Sequence, residues 1–240
     1  MPEGAPKNID DRGGVIERMF SAIAPRYDFL NWLLSAGRDR TWRRAAVAAT
    51  TVPRHGILLD VCTGTADMAL EAARQFPDAR IVGVDFSRPM VALGAIKIER
   101  ARLGERVWLQ VASAEALPFG DDSFDAATVA FGLRNVSDRL QGLHEMLRVL
   151  RPGGRAVVLE FATPSHPLIR RVYLWYFHHV LPRIGRLVSG HPSAYSYLPA
   201  SVSDFPSPQE LVEWMQEAGF SEVSYRLLTG GIAAIHVGRK

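Results

Sequence analysis

Short apolar runs alternate with amphipathic segments of helical period along most of the chain. This alternation is typical of a mostly parallel sheet with helices on both faces, because each parallel strand needs a crossover to reach the next. The predicted strands are Ile57–Cys62, Arg80–Asp85, Val107–Val111, Phe124–Ala130, Ala156–Phe161, Glu222–Leu228 and Ile232–Gly238. The predicted helices are Val15–Ala24, Asp39–Ala49, Asp67–Arg74, Pro89–Leu103, Asp138–Leu150, Leu168–Val180 and Pro208–Ala218.

The end of the pattern differs from the rest, because the turn Thr229-Gly230-Gly231 joins the last two strands as a hairpin. We therefore predict an α/β fold with a seven-stranded, mostly parallel sheet and one antiparallel strand, in a single domain over 1–240. An N-terminal helical region, 15–50, and an insertion, 163–207, stand outside the alternation. Insertions after strand ends lie over the ligand crevice, so both are candidates for a substrate wall, the second as a lid.

Two predicted strands end in carboxylates. Asp60 lies at the end of the first, before a turn of small residues that contains Gly64, and Asp85 ends the second. A dinucleotide site needs further glycines to cradle a pyrophosphate, which Asp60 and Asp67 would repel. Two acids suit a cationic ligand instead, with Asp85 accepting from ribose hydroxyls. S-adenosylmethionine has a sulfonium, an ammonium and a ribose; the alternative is an ordinary strand–turn–helix with acidic caps.

The third and fourth strands are followed by further polar residues. Ser113 and Ala114 come where an adenine ring would lie, although Ser113 is also a suitable cap for a short helix. Arg134 and Asn135 follow the fourth strand and are expected to face the crevice. Arg134 could orient an anionic oxygen or lower the pKa of a phenol, or it could hold the loop through a salt bridge. Glu160 is either a supporting carboxylate or a buried partner for an arginine.

Composition excludes several classes of protein. A net charge of +3 on 240 residues is too mild to indicate nucleic-acid binding by itself. Cys62 is the single cysteine, so no intramolecular disulfide can form and the context is predicted to be cytoplasmic. The N-terminus lacks the apolar core of a signal peptide, and the sequence contains no run of 18 apolar residues that could span a membrane. The histidines show no metal-ligand spacing, so we predict no metal site.

The insertion contains an aromatic and basic stretch, 168–188. Its aromatic residues include Trp175 and Phe177, and arginines flank them on both sides. Such a stretch can lie in a membrane interface, but more often it forms a lid that packs on its own core.

Five motifs in order resemble those of the quinone-biosynthesis C-methyltransferases, which act on demethylmenaquinol or on the ubiquinol precursor. They are ILLDVCTGTAD, VGVDFSRPM, SAEALPF, FGLRNVSD and RVLRPGGRAVVLEF. The segment from Tyr27-Asp28 through Ser35 to Trp42 is similar to the first signature of that family. The similarity extends from about Met19 to Gly238.

This resemblance implies a Rossmann-like class I methyltransferase with S-adenosylmethionine as co-substrate. Thr65, Asp85, Ser113 and Ala114 match positions that contact that molecule, and Asp60 and Gly64 shape the same pocket. The small residue Ala66, in place of a glycine, favours menaquinone-type members. The implied substrate is a polyprenylated quinol, whose tail favours peripheral contact with the inner face of the cytoplasmic membrane.

The resulting hypothesis is C-methylation of demethylmenaquinol to menaquinol. Arg134 would stabilise the developing phenolate, with Asn135, Tyr27 and Tyr195 as contacts for the hydroxyl groups. Open alternatives are methylation of the ubiquinol precursor, of another small molecule, or of RNA or protein. The missing glycines argue against a nicotinamide oxidoreductase. The intact acidic motif argues against a binding module that has lost catalysis. A homodimer is an alternative to a monomer.

Overall fold

A seven-stranded sheet forms the centre of the protein, with strand order β3-β2-β1-β4-β5-β7-β6. The computed structural model describes residues 28, 35, 37–164, 166–176, 201–202 and 204–240. The strands are β1 (Ile57–Val61), β2 (Arg80–Asp85), β3 (Val107–Val111), β4 (Phe124–Ala130), β5 (Leu150–Phe161), β6 (Ser221–Leu228) and β7 (Ala233–Arg239). Strand β7 runs antiparallel to both of its neighbours, and the other paired strands are parallel. The predicted sheet, with its single antiparallel strand, is confirmed.

Helices connect the strands. They are α1 (Asp39–Val47), α2 (Asp67–Gln75), α3 (Arg88–Arg100), α4 (Arg139–Val149), α5 (Pro167–Trp175) and α6 (Pro208–Glu217). Local sequence explains where α6 begins and ends. The Ser207 side chain and the Glu210 side chain each accept from the other's backbone amide in a capping box, and Gly219 follows the helix with φ of 102°.

The core lies in two layers, one on each face of the sheet. Leu58 packs with α1 and α2 in the first layer, while its neighbour Leu59 packs with α4 and α6 in the second. Successive residues of a strand point to opposite faces, so a parallel strand covered on both sides is apolar at consecutive positions. Both leucines are fully buried, which confirms the prediction of helices on both faces.

β6 begins and β7 begins and ends one residue away from the prediction, and the boundaries of two other strands differ for a clear physical reason. β5 begins at Leu150 instead of Ala156, because Leu150 pairs with Phe124 and the chain stays extended through a bulge in the β4–β5 pairing. Gly153, with φ of 82°, lies within this stretch. β1 ends at Val61 and not at Cys62, whose φ of 54° takes the chain out of the strand.

Parts of the two additional segments lie outside the described residues. These include the predicted helix Val15–Ala24 and the end of the predicted helix Leu168–Val180. Within the described ranges, none of the helices has both the length and the apolar character required to span a bilayer.

The loops that follow β1 and β4 touch at Gly132. A Cβ atom at this position would lie 2.3 Å from the Cβ of Cys62 and 3.4 Å from Cγ2 of Val129. The Cys62 Cβ is fixed to the backbone and cannot rotate away. Gly132 therefore sets how closely the two loops approach at the carboxyl edge of the sheet.

We expect Gly132→Ala to lower the free energy of unfolding by about 1–3 kcal/mol, because it overpacks a closed contact. Adding Cys62→Gly should restore most of the loss, since it removes the clashing atom at a residue with positive φ. Gly104→Ala is the control, because a Cβ there would meet no atom within 4 Å. Urea denaturation measures all four proteins, and an unchanged midpoint for Gly132→Ala would contradict the packing argument.

Candidate active site

The carboxyl ends of β1, β2, β4 and β5 meet along one edge of the sheet. Four residues of the loops here have positive φ: it is 54° at Cys62, 56° at Gly64, 68° at Ala66 and 58° at Phe131. Three of these residues carry a Cβ, which makes such a conformation costly for each of them. Strained backbone at the ligand edge of a parallel sheet marks this edge as the candidate site.

Asp85 joins two of the loops at this edge. Its Oδ2 accepts from the Gly64 amide at 2.8 Å, and its Oδ1 accepts from the Ser87 amide at 2.9 Å. Burial raises the pKa of Asp85, and the two amides partly offset that rise. Each carboxylate oxygen has about two acceptor positions. Asp85 can therefore keep both amides and still accept from two ligand hydroxyls.

Asp60 is enclosed and does not reach the surface. It is fully buried; its Oδ2 accepts from Thr63 Oγ1 at 2.5 Å and its Oδ1 accepts from Thr128 Oγ1 at 2.9 Å. Burial raises the pKa of Asp60 to about 6, against the hydroxyl contacts and the charge of Arg43, which lower it. In this structure the carboxylate is directed at the threonines, and it holds the loop after β1 against β4.

Thr65 belongs to a cluster of charged groups. Its hydroxyl donates to Asp28 Oδ1 at 2.5 Å, and Lys97 Nζ donates to Asp28 Oδ2 at 2.8 Å. Lys97 also forms an ion pair with Asp67. Lys97 thus neutralises the charge of Asp67, so Asp67 itself would not repel a pyrophosphate. The argument against a dinucleotide site then depends on the other acids and on the missing glycines. Lys97 was missed in the sequence, because a basic residue near the C-terminal end of a helix is common and does not indicate a site.

Ser113 and Ala114 form a tight turn, so the alternative in which Ser113 caps a short helix is wrong. The turn is closed by a bridge between Ser113 and Ala116, and Ser113 Oγ accepts from the Glu115 amide at 3.2 Å. The Ala112 amide donates to the Asp85 carbonyl at 3.0 Å, which places this turn beside the end of β2. Ser113 is exposed and Ala114 is buried. The turn thus lies beside the strand end that carries Asp85.

Arg134 pairs with Glu160, as the salt-bridge alternative predicted. Arg134 Nη1 lies 2.9 Å from Glu160 Oε2, and it donates to the Phe131 carbonyl at 2.5 Å. The side chains of Arg134 and Glu160 are only 7% and 1% exposed. The guanidinium carbon lies 5.4 Å from the centroid of the Phe161 ring. Glu160 and Phe161 therefore fix the position of the Arg134 charge at the ends of β4 and β5.

Other candidates have mixed outcomes. Asn135 is half-buried, and its Nδ2 donates to the Phe131 carbonyl at 3.4 Å. Tyr27 and Tyr195 lie outside the described residues. Tyr173 of α5 is buried; burial raises its pKa, and the charge of Arg134 partly opposes that rise. A phenol of the predicted lid is therefore close enough to Arg134 to be affected by its charge.

An aromatic wall, formed by Trp42, Phe131 and Phe161, separates two arginines. The ring centroids lie 4.7 Å apart for Phe131 and Phe161, and 6.2 Å and 6.1 Å from Trp42 to each of them. Arg134 lies over Phe161, and the guanidinium carbon of Arg43 lies 5.2 Å from the Phe131 centroid. Trp42 and Phe131 are buried, so the wall is a packed cluster of rings that holds the two guanidinium groups against neighbouring faces.

Cys62 and metal binding contribute little to this picture. Burial raises the pKa of the Cys62 thiol, and nearby carboxylates raise it further, so the reactive thiolate is disfavoured. Across the ranges that the structure describes, His, Cys, Asp and Glu do not gather in threes or more around a potential metal position.

Solved structures share the fold over almost the whole chain. The [4+2]-cyclase SpnF superposes with a TM-score of 0.70 and 20% identity, covering 94% of each chain. A Thermotoga maritima protein described as a SAM-dependent methyltransferase and a possible histamine N-methyltransferase has a TM-score of 0.63 and 21% identity, covering 93% of this chain and 99% of that one. At these identities the comparison shows the fold alone.

Closer relatives identify the family. The ubiquinone/menaquinone biosynthesis C-methyltransferase UbiE of Geobacter sulfurreducens is 54% identical, over 97% of this chain and 91% of that protein. The demethylmenaquinone methyltransferase of Deinococcus radiodurans is 50% identical, over 96% of this chain and 94% of that protein. The model of the ubiE/COQ5 methyltransferase family matches residues 7–240. With the acidic pocket and the sheet order described above, the chain therefore belongs to the ubiE/COQ5 methyltransferase family.

Proposed function

We propose that this enzyme transfers the methyl group of S-adenosylmethionine to a ring carbon of demethylmenaquinol, giving menaquinol. The observation that carries the proposal is the buried Asp85 at the end of β2, beside a pocket edge with two arginines and an aromatic wall. The names of the relatives support quinone methylation. Methylation of the ubiquinol precursor is the second candidate, because the name of the Geobacter relative includes both quinones.

The residues present fit the methyl donor. Asp85 has remaining acceptor positions for the ribose hydroxyls, and the turn at Ser113 and Ala114 adjoins it for the adenine. Gly64 has no side chain, so a ligand can approach the backbone of the turn closely. Asp60 acts on the pocket through Thr63, whose position it fixes. When bound, S-adenosylmethionine supplies an electrophilic methyl group on a positively charged sulfur.

The substrate side follows from the aromatic wall and Arg134. A quinol ring carbon becomes more nucleophilic as its neighbouring hydroxyl loses a proton, and Arg134 stabilises the negative charge that then develops on the oxygen. Glu160 holds the guanidinium in place so that this charge is already oriented. Asn135, Tyr27 and Tyr195 are the proposed contacts for the quinol hydroxyls. Alignment of the ring carbon with the methyl group, at about 3–3.5 Å, supplies much of the rate.

The decisive test of function uses methyl-labelled S-adenosylmethionine with demethylmenaquinol under anaerobic conditions. We expect one labelled methyl group on the quinol ring, located by fragment mass spectrometry. The oxidised quinone is the control, because its electron-poor ring should accept no methyl group. A parallel reaction with the ubiquinol precursor separates the two candidates. If neither quinol carries the label, the proposal is overturned.

The role of Arg134 needs a variant that preserves the fold. Removing this arginine alone leaves Glu160 buried without its partner, which typically costs about 3–5 kcal/mol of stability. We therefore expect the pair Arg134→Gln and Glu160→Gln, combined in one chain, to fold and to bind S-adenosylmethionine normally. Its turnover should fall by roughly 10²–10³-fold, because a donor to the developing oxyanion is lost.

The matched control is Glu160→Gln alone, which keeps the arginine and a hydrogen-bonding partner for it; because the Arg134 charge then lacks its carboxylate, the folded fraction is measured beside turnover. It should retain far more turnover than the double variant. Equal turnover of the double variant and the wild type would remove Arg134 from the mechanism. Single-turnover kinetics with pre-bound donor makes the comparison independent of donor affinity.

We also propose that the protein contacts the membrane surface through α5, where a polyprenylated substrate would be delivered. Leu168 and Trp175 of this helix are 67% and 59% exposed, and Arg170 and Arg171 between them are also exposed. Exposed aromatic and basic residues suit an anionic lipid interface. A homodimer stays a prediction that none of the described contacts tests.

Flotation with liposomes containing anionic lipid tests this contact. We expect the wild type to float, and Trp175→Glu combined with Leu168→Glu to float several-fold less, because two apolar anchors become charged. Trp108→Glu is the control, since Trp108 is also exposed, at 44%, but lies on β3 at the edge of the sheet. Failure of the wild type to float, or equal loss in the control, would contradict the proposal.

A further inference from the structure

Arg43 of α1 is a buried charge to which the proposed function assigns no ligand group. Its side chain is only 8% exposed, and among the described residues its guanidinium makes no hydrogen bond. The ion pair that it forms within the same ranges is long, at 3.9 Å from Nε to Asp39 Oδ2, and Asp39 also accepts from Ser35 Oγ. Burying an arginine without hydrogen bonds is costly. The position is therefore prepared for an anion.

The surroundings of Arg43 place that anion in the pocket. The guanidinium lies over Phe131, the first residue after β4, and its charge lowers the pKa of Asp60 near the end of β1. Asp85 ends β2, on the other side of β1, because the strand order is β2-β1-β4. Neighbouring strands lie about 4.8 Å apart, so Asp85 and Arg43 border the pocket from opposite sides of β1.

A ligand that places its ribose at Asp85 would extend across β1 toward Arg43. In S-adenosylmethionine the amino-acid end lies on the other side of the sulfur from the ribose, and it carries a permanent α-carboxylate. We propose that Arg43 binds this carboxylate and so fixes the methionyl end of the donor. The inference rests on S-adenosylmethionine as the methyl donor, but not on which quinol accepts the methyl group.

A carboxylate suits Arg43 better than a quinol hydroxyl does. The planar guanidinium matches a carboxylate with two parallel hydrogen bonds, and both groups keep their charges at neutral pH. A quinol hydroxyl is neutral before reaction and would offer the guanidinium no negative charge. Arg134, in contrast, already has a carboxylate partner in Glu160, so it has less need of a second permanent anion.

Calorimetric titration with S-adenosylhomocysteine and with its decarboxylated analogue, S-adenosyl-3-thiopropylamine, tests the assignment. The analogue retains the nucleoside and the amine and lacks only the carboxylate. We expect Arg43→Gln to weaken binding of S-adenosylhomocysteine by roughly 10–100-fold, as for hydrogen bonds between charged groups. Its affinity for the analogue should change by less than about threefold, because the group that Arg43 binds is already missing.

Two variants on the same helix serve as controls. Arg44→Gln should bind both ligands as the wild type does, because Arg44 is exposed. Arg43→Lys keeps the positive charge but loses the planar guanidinium, so its preference for the carboxylate-bearing ligand should lie between those of the wild type and Arg43→Gln. If Arg43→Gln fails to fold, this reduced preference relative to the wild type supports the same contact, and an unchanged preference contradicts it.

Equal weakening of both ligands by Arg43→Gln would overturn the inference, since it would mean that Arg43 only supports the fold. Unchanged binding of S-adenosylhomocysteine would overturn it as well. A wild type that binds S-adenosylhomocysteine but methylates no quinol would refute the proposed function and leave this inference standing. A wild type that binds neither ligand would refute the donor and this inference together.

Discussion

The hydrogen bond from the Gly64 amide to the Asp85 carboxylate is the interaction on which the site depends. It is possible because β1 and β2 are parallel and in register, with Val61 opposite Val84, so that both strands end at the same edge. Gly83 makes the approach close, since a Cβ there would lie 2.8 Å from Thr63 Oγ1. The turn after β1 is thereby fixed to the end of β2. A buried acceptor with oriented oxygens is present before any ligand binds.

Buried charge distinguishes this edge of the sheet from the rest of the core. Asp60, Asp85, Arg43, Arg134 and Glu160 are all buried here, and each would be costly in an apolar layer. The costs are reduced in different ways: threonine hydroxyls for Asp60, backbone amides for Asp85, and mutual pairing for Arg134 and Glu160. Because SpnF shares the sheet and is named a cyclase, the fold alone does not determine chemistry. The chemistry of this site depends on the arrangement of its buried charged groups.

The sequence predicted the scaffold well and the enclosure of the site poorly. The spacing of apolar residues and the aspartates at strand ends located the strands. The glycine turn at Thr229 located the hairpin. Both could be predicted because these signals are local in the sequence. Asp60 was expected to face a ligand, but Thr128, 68 positions away, closes it off. In the pair Arg43-Arg44 only packing of α1 decides which arginine is buried. Such long-range contacts leave no mark on the local pattern.

A crystal structure with S-adenosylhomocysteine would show whether Asp85 binds the ribose. We expect the ribose hydroxyls within hydrogen-bonding distance of the Asp85 carboxylate, with Gly64 still donating to Oδ2 and the adenine beside the turn at Ser113 and Ala114. A nucleoside bound at another edge of the sheet, or one bound here with Asp85 turned away from the ribose, would contradict it.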